Sequence, residues 1–146
     1  MQFSKSNKIV QVITPTAGAA ATTDINGTTI DTQGYQNVAF IVTMGAITSG
    51  AVTSIKAQQG ADSGLSDAAD LAGTAQAIAD TDDEKVFYID IRKPTERYVR
   101  LVVDRATQNA VVASAIAVLS DASWVPVSHG TNVSGEAHVS PAEGTA

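Results

Sequence analysis

Runs in which every second residue is apolar recur along the first 120 residues of this chain. In residues 38–44, for example, Val38, Phe40, Val42 and Met44 occupy one face of an extended segment. Because side chains along a strand point alternately to the two faces of a sheet, a period of two predicts β-strands with one buried face. The opposite face of this segment is also fairly apolar, so we expect this strand to lie inside a sheet rather than at its edge.

The best-defined pair of strands is predicted over residues 86–91 and 98–104. The side chains expected to face inward are Phe87, Ile89, Ile91, Val99, Leu101 and Val103. A charged turn that contains Pro94 separates the two runs, so the pattern predicts a β-hairpin. In such a hairpin Tyr88 and Tyr98 both lie on the outward face.

Three further strands are predicted over residues 8–13, 52–58 and 110–119. The last of these is apolar on both faces and rich in Val and Ile, which indicates a buried strand. Its Ala content leaves a buried helix as the alternative. The dipeptide Asn26-Gly27 favours a two-residue hairpin turn, because both positions tolerate positive φ.

Residues 60–83 show no sustained periodicity and are expected to form a long surface excursion. Within them, residues 66–72 are compatible with a short helical turn capped by Ser66. Residues 80–84 form the densest acidic run, whose carboxylates are suited to calcium. The better interpretation is a solvated loop before a strand, since the run lacks the alternation and the Gly of an EF-hand calcium loop.

The composition favours thin layers of β-structure. Hydrophobic residues make up 44% of the 146 residues but aromatic residues only 5%, so the core must be built mainly from small aliphatic side chains. Seven or eight strands at regular turn spacing predict an all-β, single-domain antiparallel β-sandwich of jelly-roll-like type with an extended C-terminal arm. We assign residues 1–7 to an N-terminal extension, residues 8–120 to the sandwich body and residues 121–146 to the arm, with Trp124 as a final apolar anchor.

The residues available for chemistry argue against an enzyme. The chain has no Cys, and its two histidines, His129 and His138, both lie in the Gly- and Ser-rich final stretch. Imidazole and thiolate groups are the ones most easily tuned to titrate near neutral pH. The adjacent Ser128 and His129 lack a rigid frame, and two histidines do not make a zinc site. We therefore predict no catalytic residue, no cofactor and no metal site.

Charge and hydropathy limit the classes of partner. The net charge is −6 with only nine Lys and Arg residues, which argues against nucleic-acid binding because such binding depends on neutralising phosphates. Residues 1–6 lack the apolar core of a signal peptide, and no apolar run approaches the roughly 20 residues that cross a bilayer. The absence of Cys fits synthesis in a reducing cytoplasm, and we expect no membrane partner.

More than half of the basic residues fall between positions 92 and 105, next to two tyrosines. Exposed Tyr, Trp and Arg are typical of the residues that dominate binding at protein interfaces. The candidate interface residues are Tyr88, Arg92, Arg97, Tyr98, Arg100 and Trp124. Ordinary salt bridges along the hairpin are the alternative explanation for the basic residues.

Several segments resemble a family of small virion proteins of tailed phages. They are residues 9–15, 23–27, 67–74, 85–94 and 96–104, and the likeness extends over residues 8–119. These virion proteins are similar to head decoration, or cement, proteins. The resemblance implies a β-sandwich related to the jelly roll, located on the exterior of the virion capsid. It implies binding to the major capsid protein, clamping of neighbouring capsid subunits, and action as a homo-oligomer, a dimer or trimer.

Two other functions are compatible with the sequence. The first is a tail- or fibre-associated β-sandwich module that recognises a host surface glycan, although one Trp and three Tyr offer few aromatic platforms for sugars. The second is an enzyme that uses carboxylates of the acidic run at residues 80–84. Residues from Asp121 onward fall outside the resemblance, and we expect them to form an arm that lies along a neighbour during assembly.

Overall fold

The alternating runs form the strands of a two-sheet β-sandwich. The computed structural model describes residues 1–145. A four-residue helix, α1 (Phe3–Ser6), precedes ten strands. The strands are β1 (Lys8–Ile13), β2 (Ile25–Asn26), β3 (Ile30–Asp31), β4 (Asn37–Ile47), β5 (Val52–Gly60), β6 (Ala69–Asp70), β7 (Gln76–Ile78), β8 (Val86–Arg92), β9 (Tyr98–Ala106) and β10 (Ala110–Ser120). The prediction of an all-β antiparallel sandwich is confirmed.

The six long strands are divided between two antiparallel sheets. Sheet A has the order β1-β10-β4-β8. In sheet B, β9 and β5 pair along their whole length, the short β2 and β3 extend it beyond β9, and β6 and β7 extend it beyond β5. Because β4 and β10 have partners on both sides, they are the interior strands of sheet A. Their apolar character on both faces predicted this position, and the helix alternative for residues 110–119 is wrong.

The core lies between the inner faces of the two sheets and is built mostly from aliphatic side chains. Phe40 is the largest fully buried side chain, and its register neighbours in sheet A are Ala117 and Ile89. Ala57, on sheet B, is also fully buried. The small residues let the sheets approach closely, as the low aromatic content predicted.

The predicted hairpin over residues 86–104 is wrong, although both of its strands exist. Strand β8 pairs with β4 in sheet A, whereas β9 pairs with β5 in sheet B, so residues 93–97 cross from one sheet to the other. Both strands have an apolar face because both line the same core, from opposite sides. Alternation marks which face is buried but does not identify the neighbouring strand.

The dipeptide Asn26-Gly27 does not form the predicted hairpin turn either. Strands β2 and β3, on either side of it, both pair with β9 and not with each other. A Cβ atom on Gly27 would lie 2.5 Å from Cγ1 of Val12 and 3.0 Å from the carbonyl oxygen of Leu101. Gly is therefore needed here for the close approach of sheet B to β1, not for a left-handed backbone.

Residues 60–83 are a surface excursion, as expected, but contain no helix. They form the two short strands β6 and β7 along the outer side of β5, separated by turns. Ser66 is not a helix cap, because its own backbone N–H and hydroxyl donate to the carboxylate of Asp62. The four strands of two or three residues explain why ten strands are found instead of seven or eight.

Candidate interaction surface

The sandwich separates the candidate interface residues onto different surfaces. Tyr88 and Arg92 project from β8 on the outer face of sheet A, and both are exposed. Tyr98 and Arg100 project from β9 on the outer face of sheet B, and both are partly buried. Since the two outer faces point in opposite directions, Tyr88 and Tyr98 do not share a surface, contrary to the hairpin prediction.

The outer face of sheet A carries mostly apolar side chains, which come from all four strands. Tyr88, Ile41, Ile116 and Gln11 are register neighbours on β8, β4, β10 and β1, so their side chains form one row. The next row consists of Asp90, Ala39, Val118 and Ile9. The aliphatic members of both rows are partly buried, while Val86 and Tyr88, on the edge strand β8, are 60% and 67% exposed.

The outer face of sheet B is covered instead by polar contacts. Lys56 lies 3.2 Å from the carboxylate of Asp70 and 3.7 Å from that of Asp104. Gln58 donates to Asp70 and accepts a hydrogen bond of 2.8 Å from Nε of Arg100. The two outer faces thus differ, and that of sheet A presents the more apolar surface, of the type that marks interaction sites.

Arg97 is engaged within the chain. It donates two hydrogen bonds to the carboxylate of Asp31, of 2.8 and 2.7 Å, and its guanidinium lies 5.1 Å from the ring centroid of Tyr98. The bond from Arg97 lowers the pKa of Asp31, and the same bond raises the pKa of Arg97. For Arg97 the structure supports the alternative explanation, an ordinary salt bridge, which contributes little to stability because both partners are nearly half exposed.

Arg105 is a structural residue, although its place among the basic residues of the segment 92–105 suggested a surface arginine. Its side chain is buried and donates hydrogen bonds of 2.7, 2.8 and 2.9 Å to the carbonyl oxygens of Thr23, Ala19 and Ala110. Burial lowers its pKa, while the nearby Asp24 opposes that shift. The sequence contained a signal for this burial. Arg105 continues the series Val99, Leu101 and Val103, in which every second residue of β9 faces the core. Its role is to hold the loop before β2 against the sandwich.

Trp124 lies on the surface, so it does not act as an apolar anchor for its own chain. It is 86% exposed and lies three residues beyond Asp121, whose left-handed backbone follows the last residue of β10. The neighbouring Ser123 donates a backbone hydrogen bond of 2.7 Å to the carbonyl oxygen of Gly34. Trp124 therefore projects at the end of the sandwich where β3 turns into β4, and remains a candidate interface residue.

Residues 121–145 contain no helix or strand and lie against the N-terminal segment. The N–H of Val127 donates to the carbonyl oxygen of Lys5 at 2.9 Å. His129 bridges two backbone groups, since Nδ1 accepts from the N–H of Ile9 at 3.2 Å and Nε2 lies 2.9 Å from the carbonyl oxygen of Ser4. These contacts place the segment beside β1, where Ile9, His129 and residues 133–137 line a cavity of about 300 Å³. The described part of this segment leaves the β8 side of the outer face uncovered, where Tyr88 is 67% exposed.

The acidic run at residues 80–84 binds backbone groups of its own chain. Asp80 accepts from the N–H of Gly50 at 2.7 Å, Asp82 from that of Ala79 at 3.0 Å, and Asp83 from that of Ile47 at 2.6 Å. These carboxylates close the turn before β8. Within residues 1–145, no three acidic, His or Cys side chains cluster in a way that would hold a metal ion.

Stability is expected to fall as the pH is lowered from about 5 to about 2. The pKa values of Asp31, Asp62, Asp70 and Asp82 lie below their ordinary value because each carboxylate accepts hydrogen bonds in the folded chain. The unfolded chain therefore binds more protons than the folded chain in this pH range. The stability that these carboxylates provide above their unfolded pKa is lost as the pH falls through their lower pKa values in the folded chain. Urea unfolding at a series of pH values measures the slope. Asp31→Asn should make the slope shallower, and an unchanged slope would contradict its assignment.

The comparisons with known proteins leave the chain without a family. No protein-family model matches it, and no curated protein matches it. In the part of the chain that the structure describes, no helix is long and apolar enough to cross a membrane. Among solved structures, dimeric latent PorU from Porphyromonas gingivalis is similar with a TM-score of 0.44 and 10% sequence identity over 80% of this chain. This match spans 13% of the PorU chain.

Proposed function

We propose that this chain is a structural virion protein that binds the outer surface of a phage capsid and stabilises it by bridging neighbouring major capsid subunits. The observation that carries the proposal is the apolar outer face of sheet A, whose central row contains Tyr88, Ile41 and Ile116. A rigid, hydrogen-bonded sheet presents these side chains in fixed positions, so little conformational entropy is lost when a partner covers them.

The chemistry of this surface is suited to a lattice of repeated contacts. A standard protein interface buries about 1,600 Å² in total, and a decoration protein multiplies a modest contact over many equivalent capsid sites. Exposed Tyr88 supplies an aromatic side chain of the kind that dominates binding energy, and Arg92 lies two residues along the same face. The resemblance to phage decoration proteins in the sequence supports the same location.

Replacing Ile116 by Lys tests the proposal. Heads assembled without the chain are mixed with purified protein and sedimented, and the bound protein is quantified. We expect Ile116→Lys to reduce binding at least about tenfold, because a charge would be buried against the partner. Val52→Lys, an exposed apolar position of sheet B, is the matched control and should bind like the unaltered chain. Equal binding of both variants, with far-ultraviolet spectra unchanged, would sink the proposal.

A second function, recognition of a host surface glycan from the tail or a fibre, is favoured by one observation. The indole of Trp124 is 86% exposed, and aromatic faces of this kind stack on sugar rings. An image of the intact particle distinguishes the two functions, because a decoration protein lies on the head shell and a glycan-binding module lies on the tail.

A further inference from the structure

Residues 127–138, which we call the strap, lie across the N-terminal segment and the edge of β1. Within the described chain β10 is the one strand that pairs with β1, so the other edge of β1 has no strand beside it. At this edge the N–H of Ile9 donates to Nδ1 of His129 at 3.2 Å. The N–H of Val127 donates to the carbonyl oxygen of Lys5 at 2.9 Å. The strap therefore covers a sheet edge, which is one of the ways in which proteins protect unpaired strands.

The contacts that hold the strap are shallow. It contains no helix or strand, and its partly buried side chains are those of Val127, His129 and Val133. At its far end, Nε2 of Gln2 donates to the carbonyl oxygen of His138 at 2.7 Å. Segments that bury little apolar surface open at a low cost in free energy. A change at one of these contacts is therefore enough to shift the strap from a closed state, on β1, to an open one.

The two contacts of the His129 ring require it to be neutral. The carbonyl oxygen of Ser4, 2.9 Å from Nε2, can only accept a hydrogen bond, so Nε2 carries a proton. The N–H of Ile9 can only donate, so Nδ1 carries none. A protonated imidazole has a hydrogen on both nitrogens, and the one on Nδ1 would point at the N–H of Ile9. Protonation thus replaces a hydrogen bond by repulsion between two donors.

Charged side chains on all three segments that meet at the ring act in the same direction or cancel. Lys5 on α1 and Lys8 on β1 are positive, so they disfavour a positive ring beside β1. Glu136 on the strap lines the same cavity as His129, and its carboxylate lies 3.0 Å from Nε2 of His138. Because Glu136 belongs to the same segment as His129, its attraction for a positive ring does not depend on contact with β1.

We propose that the strap is a pH-sensitive latch, which lies closed on β1 while His129 is neutral and opens when His129 takes up a proton. Imidazole side chains ordinarily change charge between about pH 5 and 8. The open state can bind a proton at Nδ1 and the closed state cannot, so closure is fully present above this range and is lost as the pH falls. Opening frees the chain beyond Asp121, as an arm that lies along a neighbouring molecule requires. The latch is a property of the isolated chain and does not depend on binding to a capsid.

Hydrogen exchange of the full chain, followed by NMR at about pH 7.5 and about pH 5.5, tests the latch. We expect the protection factor of the Ile9 amide, which corrects for the intrinsic pH dependence of exchange, to be at least about tenfold lower at the lower pH. The heteronuclear NOE of residues 127–138 should fall with it, because an open strap moves freely. The midpoint of both changes should follow the ring signals of His129 and not those of His138. The amide of Met44, which donates to the carbonyl oxygen of Lys85 on the far side of sheet A, should keep its protection.

Three variants separate the ring of His129 from the rest of the strap. His129→Gln keeps one acceptor and one donor but does not titrate, so both observables should be the same at the two pH values. His129→Lys is positive throughout this range, so the strap should be open at both. His138→Gln is the matched control on the same strap. It should leave the pH dependence unchanged, because the carbonyl oxygen of residue 138, not its ring, is bonded to the N-terminal segment.

Three results would overturn the inference. The first is an Ile9 amide that is equally protected at both pH values in the unaltered chain. The second is an opening whose midpoint does not follow the His129 ring signals, or that persists unchanged in His129→Gln. The third is a loss of protection at Ile9 while residues 127–138 keep their NOE values, because protonation would then break one hydrogen bond without opening the strap.

Discussion

Replacing Phe40 by Ala is expected to lower the free energy of unfolding by about 3–5 kcal/mol, a large fraction of the 5–15 kcal/mol typical of a domain. Phe40 is completely buried in an interior strand of sheet A. One of its register neighbours is Ala117, whose side chain is too short to fill the space that the ring would leave. The substitution therefore costs both the transfer of the ring and a cavity. Urea unfolding followed by far-ultraviolet circular dichroism measures the change.

The chain supplies its own controls for this prediction. It has three phenylalanines, and Phe87 is half-buried at the edge of the core while Phe3 is 59% exposed. We expect Phe87→Ala to cost less than Phe40→Ala, and Phe3→Ala to change stability by less than about 0.5 kcal/mol. If the three substitutions had similar effects, the core would not lie where the structure places it.

The positions of the strands could be predicted from the sequence because alternation is a local property. The inward residues of β4, β8 and β9 follow from a period of two within each segment. Which strands pair depends instead on contacts between distant parts of the chain. Residues 86–91 and 98–104 have the pattern of a hairpin, yet they line opposite sides of the core, and alternation is the same in both arrangements. The two-residue strands β2 and β3 are too short to carry a periodic pattern.

The candidate interface was predictable in its residue types but not in its geometry. Tyr88 and Arg92 do share an exposed face, whereas Arg97 and Arg100 bind Asp31 and Gln58. The apolar face of sheet A depends on side chains from four strands, including Ile41 and Ile116, that are far apart in sequence. Local patterns indicated that both faces of β4 and β10 are apolar, and only the order of strands shows that their outer faces meet.

Replacing Arg105 by Met is expected to lower the free energy of unfolding by about 3 kcal/mol. Met fills much of the space of the Arg stem but cannot donate hydrogen bonds, so the carbonyl oxygens of Thr23, Ala19 and Ala110 would lose their partner. Leaving one buried polar group without a partner costs about 1–3 kcal/mol. Part of this loss is offset because the variant no longer buries a charge.

Arg100→Met on the same strand is the matched control. Arg100 projects from the opposite face of β9 and donates to Gln58 near solvent, so its replacement should cost less than about 1 kcal/mol. Arg105→Lys should recover only part of the loss, because one ammonium group cannot reach three carbonyl oxygens held on two sides of the guanidinium. Equal effects of Arg105→Met and Arg100→Met on urea unfolding would show that the buried guanidinium does not hold the loop. A specific effect at Arg105 would show instead that the most basic segment of this acidic chain serves its fold as well as its surface.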